Sequence, residues 1–410
     1  MAGSWFWLAA SVALATLLVA GSALMSDGTG GVTASVVPSS DTIVARLRSG
    51  RASYPEPLMR ALAAQRAAPQ NRSAAINAAR MLIDTGRAQG DSRLVGAAIG
   101  ILRPFLGASV AATDAETLYL AATARQYQHD FQGALALLDR AAALDPRDVN
   151  ILLSRATIQT VTGDYAAARE DCRHIAALPQ PAVGFLCQAT THVLTTEGPA
   201  YRQRLEGILS RPGLLDPGLR PWAQGLVGEV AVHMGDTAAA EAAFSAVLAE
   251  NPAAQREALL LADLRLAQGD AAGVAALLAD SPDTDGVLIR RLLGARATGD
   301  ADTAATLTTT LSARFQLNID LGLTAHAREE AMFFLDVMDN PELALARAQV
   351  NWAMQHEIED AIMLTRAATA AGRPEAAKPV QDWMANVGVV SRVRPGNSGL
   401  PAETLPPLGP

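Results

Sequence analysis

Seven times along this chain a helix-length apolar stretch stops at a turn ending in Asp or Asn and then restarts. The capping positions are Asp91, Asp130, Asp164, Asp236, Asp270, Asp300 and Asn340, and Gly precedes the Asp at five of the six, His129 at the other. Four residues after each stands a small side chain: Val95, Ala134, Ala168, Ala240, Val274, Ala304 and Ala344. The steps between them are 39, 34, 72, 34, 30 and 40 residues, and 72 is close to two repeats. A helix–turn–helix unit of that size cannot bury its apolar face alone, so successive units must stack.

The physics of the pattern is local first. Gly at the turn can take the left-handed conformation that closes the first helix and satisfies its last carbonyls. The Asp beside it accepts from the orphan amides of the second helix and complements its dipole. The small residue one turn later lets the two helices approach, and a larger apolar residue follows it: Ile99, Leu138, Phe244, Leu278, or Cys172 in the third unit. The clearest unit, Glu116 to Pro146, resembles the tetratricopeptide consensus at Leu118, Ala122, Phe131, Ala134, Ala141 and Pro146. The units from Val149 and Trp222 match nearly as well. The resemblance implies an all-α fold, a right-handed α-solenoid of tetratricopeptide helix–turn–helix repeats over residues 53–390.

Departures from the pattern are informative. Between Ala168 and Ala240 lies a unit without a Gly-Asp turn, its two helices parted by Thr196-Glu197-Gly198-Pro199 and ended by Pro212 and Pro217 before Pro221 opens the next. It reads as a degenerate repeat. The last two units are looser, with Asn340-Pro341 and Gly372-Arg373-Pro374 at their turns. Composition suits a helical stack: 50% of the 410 residues are hydrophobic and only 4% aromatic, and Ala, the best helix former, dominates. A net charge of −8 argues against nucleic acid, which wants a basic stripe.

Both ends differ in kind. Trp5 to Met25 is an uncharged apolar run long enough to cross the roughly 30 Å hydrocarbon core, with Trp5, Phe6 and Trp7 suited to an interfacial belt. Residues 1–25 therefore read as an N-terminal membrane helix, with a cleaved signal as the alternative, since Ala20 to Ala23 offers small residues to a peptidase. The expected location is the inner membrane with the solenoid in the periplasm, or a soluble periplasmic protein if the signal is cleaved. Residues 26–52 are a tether of flexible composition, and residues 391–410 a Pro/Gly-rich tail expected to be disordered.

Catalytic chemistry is missing from the motifs: there is no GxxxxGK, GxGxxG, HExxH or GxSxG. The chain is therefore read as a non-enzyme, with no catalytic residue, cofactor or metal expected. No two of the six His stand at i, i+4, and Cys172 with His174, or Cys187 with His192, point apart. Cys172 falls on the second helix of one unit and Cys187 on the first helix of the next, fifteen residues on, where two facing side chains can form a disulfide. Two buried thiols are the alternative.

What remains is the groove. In the resembled family the first helix of each unit lines the concave face, which carries over to Tyr119, Thr123, Gln126, Thr157, Glu229, His233, Asp263 and Arg296, with Trp222 at an edge. The Lys/Asn arrangement that clamps a C-terminal carboxylate in some relatives is absent. Stretches such as TGRAQGDSRLVGAAIGILRPFL and ALARAQVNWAMQHEIEDAIMLTRAA are similar to bacterial membrane-associated or exported tetratricopeptide proteins of unassigned activity. The expected function is a protein-interaction scaffold of the cell envelope that binds a partner protein or peptide in the groove and touches the membrane through its N-terminal helix. The alternative is a small-molecule or metal-handling accessory protein with a site near Cys172, Cys187 and His192.

Overall fold

The computed structural model describes residues 54–89, 91–107 and 114–390. The expected membrane or signal segment, the whole of the tether and the tail lie outside the described residues. Among those described, no helix is long and apolar enough to cross a membrane, and every regular element is helical. After α1 (Glu56–Ala67), eighteen helices pair into nine units. These are α2 (Arg72–Gln89) with α3 (Ser92–Leu102), α4 (Ala115–Tyr127) with α5 (Phe131–Leu144), and α6 (Val149–Val161) with α7 (Tyr165–Ala176). Then come α8 (Pro181–His192) with α9 (Gly198–Leu209), α10 (Arg220–Met234) with α11 (Thr237–Glu250), and α12 (Gln255–Gln268) with α13 (Ala271–Leu277). The stack ends with α14 (Asp285–Thr298) and α15 (Ala301–Asp320), α16 (Ala327–Asp336) and α17 (Pro341–Trp352), and α18 (Ile358–Ala370) and α19 (Lys378–Val387).

The turn chemistry is what the residues dictate. All seven capping side chains accept from a backbone amide of the following helix, as Asp236 does from Ala239 N at 3.2 Å and Asn340 from Leu343 N at 3.1 Å. The preceding helix closes on Gly235 at φ 76°, and Asp236 N then donates to Ala231 O at 2.9 Å, so one turn stops one helix and starts the next. His129 and Asp339 hold the same left-handed region without glycine, at φ 59° and 51°. Such residues cost about 1–2 kcal/mol there, which the surrounding stack must offset.

Behind the turns the small positions let the pairs close. Val95, Ala134, Ala168, Ala240, Val274 and Ala344 are fully buried, as are Leu138, Cys172, Phe244 and Leu278. Ala304 and Ile99 depart from this and are half-buried. In the long α15 the core is met further on, by Leu311 and Phe315. Phe244 shows the complementarity: a Cβ added to Gly228 would stand 2.5 Å from its ring, so α10 is bare where α11 is bulky. Ala134→Leu is expected to overpack the α4–α5 contact and cost about 1–3 kcal/mol in urea unfolding. A neutral result would show that this helix contact has slack.

The stack does not simply run on; its last unit returns to the third. The loop after α17 lays His356 against the end of α6, with His356 N donating to Val161 O at 2.6 Å and Nδ1–H donating to Thr162 O at 2.8 Å. Gly163, at φ 88°, is required twice over. It closes α6, and a Cβ there would sit 3.1 Å from His356 Nδ1. Trp383 of α19 packs edge-on to Trp352 and against Tyr165 of α7, and Val390 N donates to Leu194 O at 2.8 Å. One apolar cluster therefore joins residues from Tyr165 to Val230 with residues from Ala331 to Val389.

Candidate functional site: the charged inner face

The return of the last unit encloses a face lined by the first helices, and that face is charged. Glu229 of α10 accepts from Arg256 of α12 at 3.2 and 3.3 Å. Asp263 of α12 accepts from Arg290 of α14, Nε to Oδ1 at 2.7 Å. Both pairs span 27 residues, and 34 residues separate Glu229 from Asp263 as they do Arg256 from Arg290. The ion pairs thus repeat with the units, an acid on one first helix meeting an arginine on the next. Arg328 of α16 continues the ladder, reaching Asp360 Oδ1 at 2.5 Å and bridging to Glu357. Arg256 also lies 3.6 Å from Glu357, so α12 and the start of α18 face each other across the enclosure.

The electrostatics follow from this enclosure. Glu229 above all keeps the Arg256 guanidinium charged, although half of that side chain is solvent-accessible. Burial alone would raise Glu357, but Arg328 and Arg256 outweigh it and hold the carboxyl at about 2. Burial, reinforced by Glu357, pushes Glu359 up to about 7, against the pull of Arg256, Arg328 and its own backbone amide. Asp360 is raised to about 6 by burial while Arg328 pulls the other way. His129, from the second unit, lies within electrostatic reach of Arg328, Glu329 and Glu357 and is lowered chiefly by burial.

The groove residues expected from the sequence fare unevenly. Glu229 and Asp263 stand in the ladder. Tyr119 and Gln126 are half-buried, Tyr119 packed on the apolar cluster of the first units. Thr157 is exposed, its hydroxyl donating to Leu153 O at 2.8 Å. Thr123 is a correction: it is buried within the stack, and its hydroxyl donates to Tyr119 O at 2.9 Å one turn back along α4. Arg296 is turned to another task, donating to Asp336 O and Val337 O at 2.9 and 3.2 Å and so capping α16. Trp222 packs between two apolar clusters rather than standing free at an edge. The arginines 256, 290 and 328 were the residues missed, and their spacing near the repeat period was the signal that could have found them.

His233 is the second correction, being 9% exposed rather than open to a ligand. Burial lowers it to about 4. Between an unfolded value near 6.5 and this folded value, the unfolded chain binds more protons, so the stability His233 contributes is complete above pH 6.5 and is lost as pH falls toward 4. His233→Gln should therefore flatten the fall of melting temperature between pH 6.5 and 4.5. Parallel profiles for the two proteins would refute the assignment.

Cys172 and Cys187 form a disulfide with Cα atoms 5.3 Å apart, so neither sulfur is a thiolate for a metal. His192 Nδ1 is engaged by Gln188 O at 2.7 Å, and no group of three or more His, Cys, Asp or Glu among the described residues is arranged around a metal position. A cleft of about 280 Å³ opens near Pro146 and Leu152, but its one guanidinium, Arg155, is taken by Asp171 and Asp139.

No family model and no curated protein matches the chain. Among solved structures it is similar to a tetratricopeptide repeat protein from Parabacteroides merdae ATCC 43184, at 14% identity and a TM-score of 0.36, covering 75% of this chain and 98% of that one. A Rap protein complexed with competence and sporulation factor matches at 14% identity, 80% and 96% coverage and a TM-score of 0.47. Yeast Tom70 matches at 11% identity, 75% and 84% coverage and a TM-score of 0.25. By the period, pairing and turn chemistry of its own helices, the chain is similar to tetratricopeptide-type repeat proteins.

Proposed function

We propose that this chain is a protein-interaction scaffold that holds a segment of a partner protein against its inner face. The observation that carries the reading is the ladder of charged pairs, repeated with the helix units on the face that the core does not use. Arg256 is the most open member, and its bonds to Glu229 at 3.2 and 3.3 Å and its 3.6 Å approach to Glu357 are long enough to be exchanged for a ligand's carboxylates. Binding, not catalysis, is the work we assign to it. We place it in the bacterial envelope, on two supports: the uncharged run Trp5 to Met25 and a disulfide of the kind that persists in oxidising compartments.

A photo-crosslinking side chain at Glu229 tests this, with Glu170 on the outer helix α7 as control. In the source cell the inner position should capture a discrete partner that the outer one does not, and Arg256→Glu should abolish the adduct. Equal capture from both positions, or none from the inner one, would overturn the reading.

A further inference from the structure

The fourth unit, which turns at Thr196-Glu197-Gly198-Pro199 with no capping Asp or Asn, carries a second surface. In the units other than this and the last the two helices pack along each other, whereas α8 and α9 meet at one end only, where Tyr201 of α9 packs on Phe185 and His192 of α8, and α9 otherwise leans on α10. The gap holds an apolar cleft of about 270 Å³. Phe185 and Leu186 of α8 form one wall, Leu205 and Ile208 of α9 the other, and Leu214 and Leu215 of the following loop close it. Leu205 and Leu186 are buried, but Leu214 is 55% exposed and Phe185 half-buried, so the apolar lining reaches the surface.

The charges around this cleft have a direction. Arg204 precedes Ile208 by one helical turn, and Arg211 stands three residues after Ile208, just past the end of α9 at Leu209. Both are exposed, and neither makes an ion pair or side-chain hydrogen bond among the described residues. Arg220 lies near, its guanidinium about the Leu209 carbonyl. The neighbouring acids, by contrast, are occupied. Glu206 is held by Arg202 at 2.8 Å, Glu197 approaches His192 at 3.7 Å, and Asp216 accepts from Gly218 N at 2.7 Å. In a chain of net charge −8, an apolar slot flanked by unengaged arginines is complementary to an acidic segment with apolar anchors.

We infer that the splayed fourth unit docks an acidic, amphipathic peptide segment of a partner protein, its apolar side chains entering between α8 and α9 and its carboxylates meeting Arg204 and Arg211. The site is separate from the charged inner face, and either can fail without the other. The degenerate turn then has a use: a regular unit would close the slot.

Fluorescence polarisation with the full-length chain tests the inference. The probes are labelled synthetic peptides in which a Leu and a Phe, spaced three, four or seven positions apart, stand in an Asp/Glu background. At least one spacing should bind saturably, and the same peptide with Ala for the Leu and Phe should not. Arg204→Glu with Arg211→Glu should weaken binding about tenfold or more, and a Lys-background peptide should bind that variant better than the wild type. Leu214→Asp should abolish binding. Since all three side chains are exposed, unchanged circular dichroism separates loss of the site from loss of the fold, and Arg256→Glu should leave this binding intact. No saturable binding at any spacing, equal binding of acidic and Lys-background peptides, or binding of decanoate in place of every peptide would overturn the proposal.

Discussion

Arg328→Ala is expected to destabilise the protein by about 3–5 kcal/mol, the cost of stripping one partner from a buried ion pair. Asp360 is 1% exposed and takes Arg328 Nε at 2.5 Å, Asn351 Nδ2 at 2.6 Å and the Glu357 amide at 2.8 Å. Without Arg328 it keeps the two neutral donors and loses the charge that opposes its burial. The pH dependence has a definite sign. In the wild type Asp360 is already raised to about 6, and the substitution raises it further, so the variant's folded state holds a proton that the unfolded chain, near 3.9, releases. Its stability is therefore best preserved at low pH and falls as pH rises. Urea midpoints at pH 5.5 and pH 8 should show a larger deficit at pH 8. Asp360→Asn, added to Arg328→Ala, should shrink that difference by taking away one of the carboxyls that Arg328 holds, with Glu357 and Glu359 left to titrate. A deficit below about 1 kcal/mol, or one indifferent to pH, would mean that the cluster is solvated rather than structural.

How much of this was legible in the sequence depends on the range of the interaction. A capping side chain bonds an amide two or three residues away, so Asp130, Asp164 or Asn340 announces its turn wherever the rest of the chain goes. The disulfide was legible for the same reason: Cys172 and Cys187 stand on consecutive helices joined by a short turn. Glu229 and Asp263 were assigned to the first-helix face from the consensus positions, but their ion pairs depend on arginines 27 residues further on, where only the repeat period links them. Thr123 and His233 share that stripe yet are buried, because the packing of adjacent helices decides how much of a first helix stays open.

The return of His356 to Val161 was not legible at all. It is the sum of small rotations over every unit between them, and no local residue states that sum. Nor does a missing Gly-Asp turn say which way α9 will swing. Pro181, Pro199, Pro212 and Pro217 with Gly198 mark the unit as a departure, while the apolar slot arises from where α10 lets α9 rest. The most local features were therefore read directly, and the ones to which we assign partner recognition were set by stacking.

Reduction of the Cys172–Cys187 bond is expected to cost about 3 kcal/mol, the chain-entropy value for a loop of about 15 residues. The bond joins α7 to α8, and its sulfurs are inaccessible, Cys172 at 0% and Cys187 at 3% exposure. Packing there is already close: a Cβ on Gly184 would stand 2.4 Å from the Ala176 backbone. Because the folded helices meet without help from the bond, its contribution falls mainly on the unfolded chain, which it shortens. Cys172→Ala with Cys187→Ala should thus keep the native circular dichroism and lower the urea midpoint. The consequence should reach beyond the pair, since Tyr165 and Leu194, which receive Trp383 and Val390, flank this same joint. Hydrogen exchange should quicken in α8 and also in α18 and α19, while α2 to α5 stay unchanged. Unreduced protein unfolded in denaturant should present no reactive thiol, and reduced protein two. Two thiols without reduction, or a double variant as stable as the parent, would remove the bond from the account of this joint and with it the structural support for an oxidising compartment.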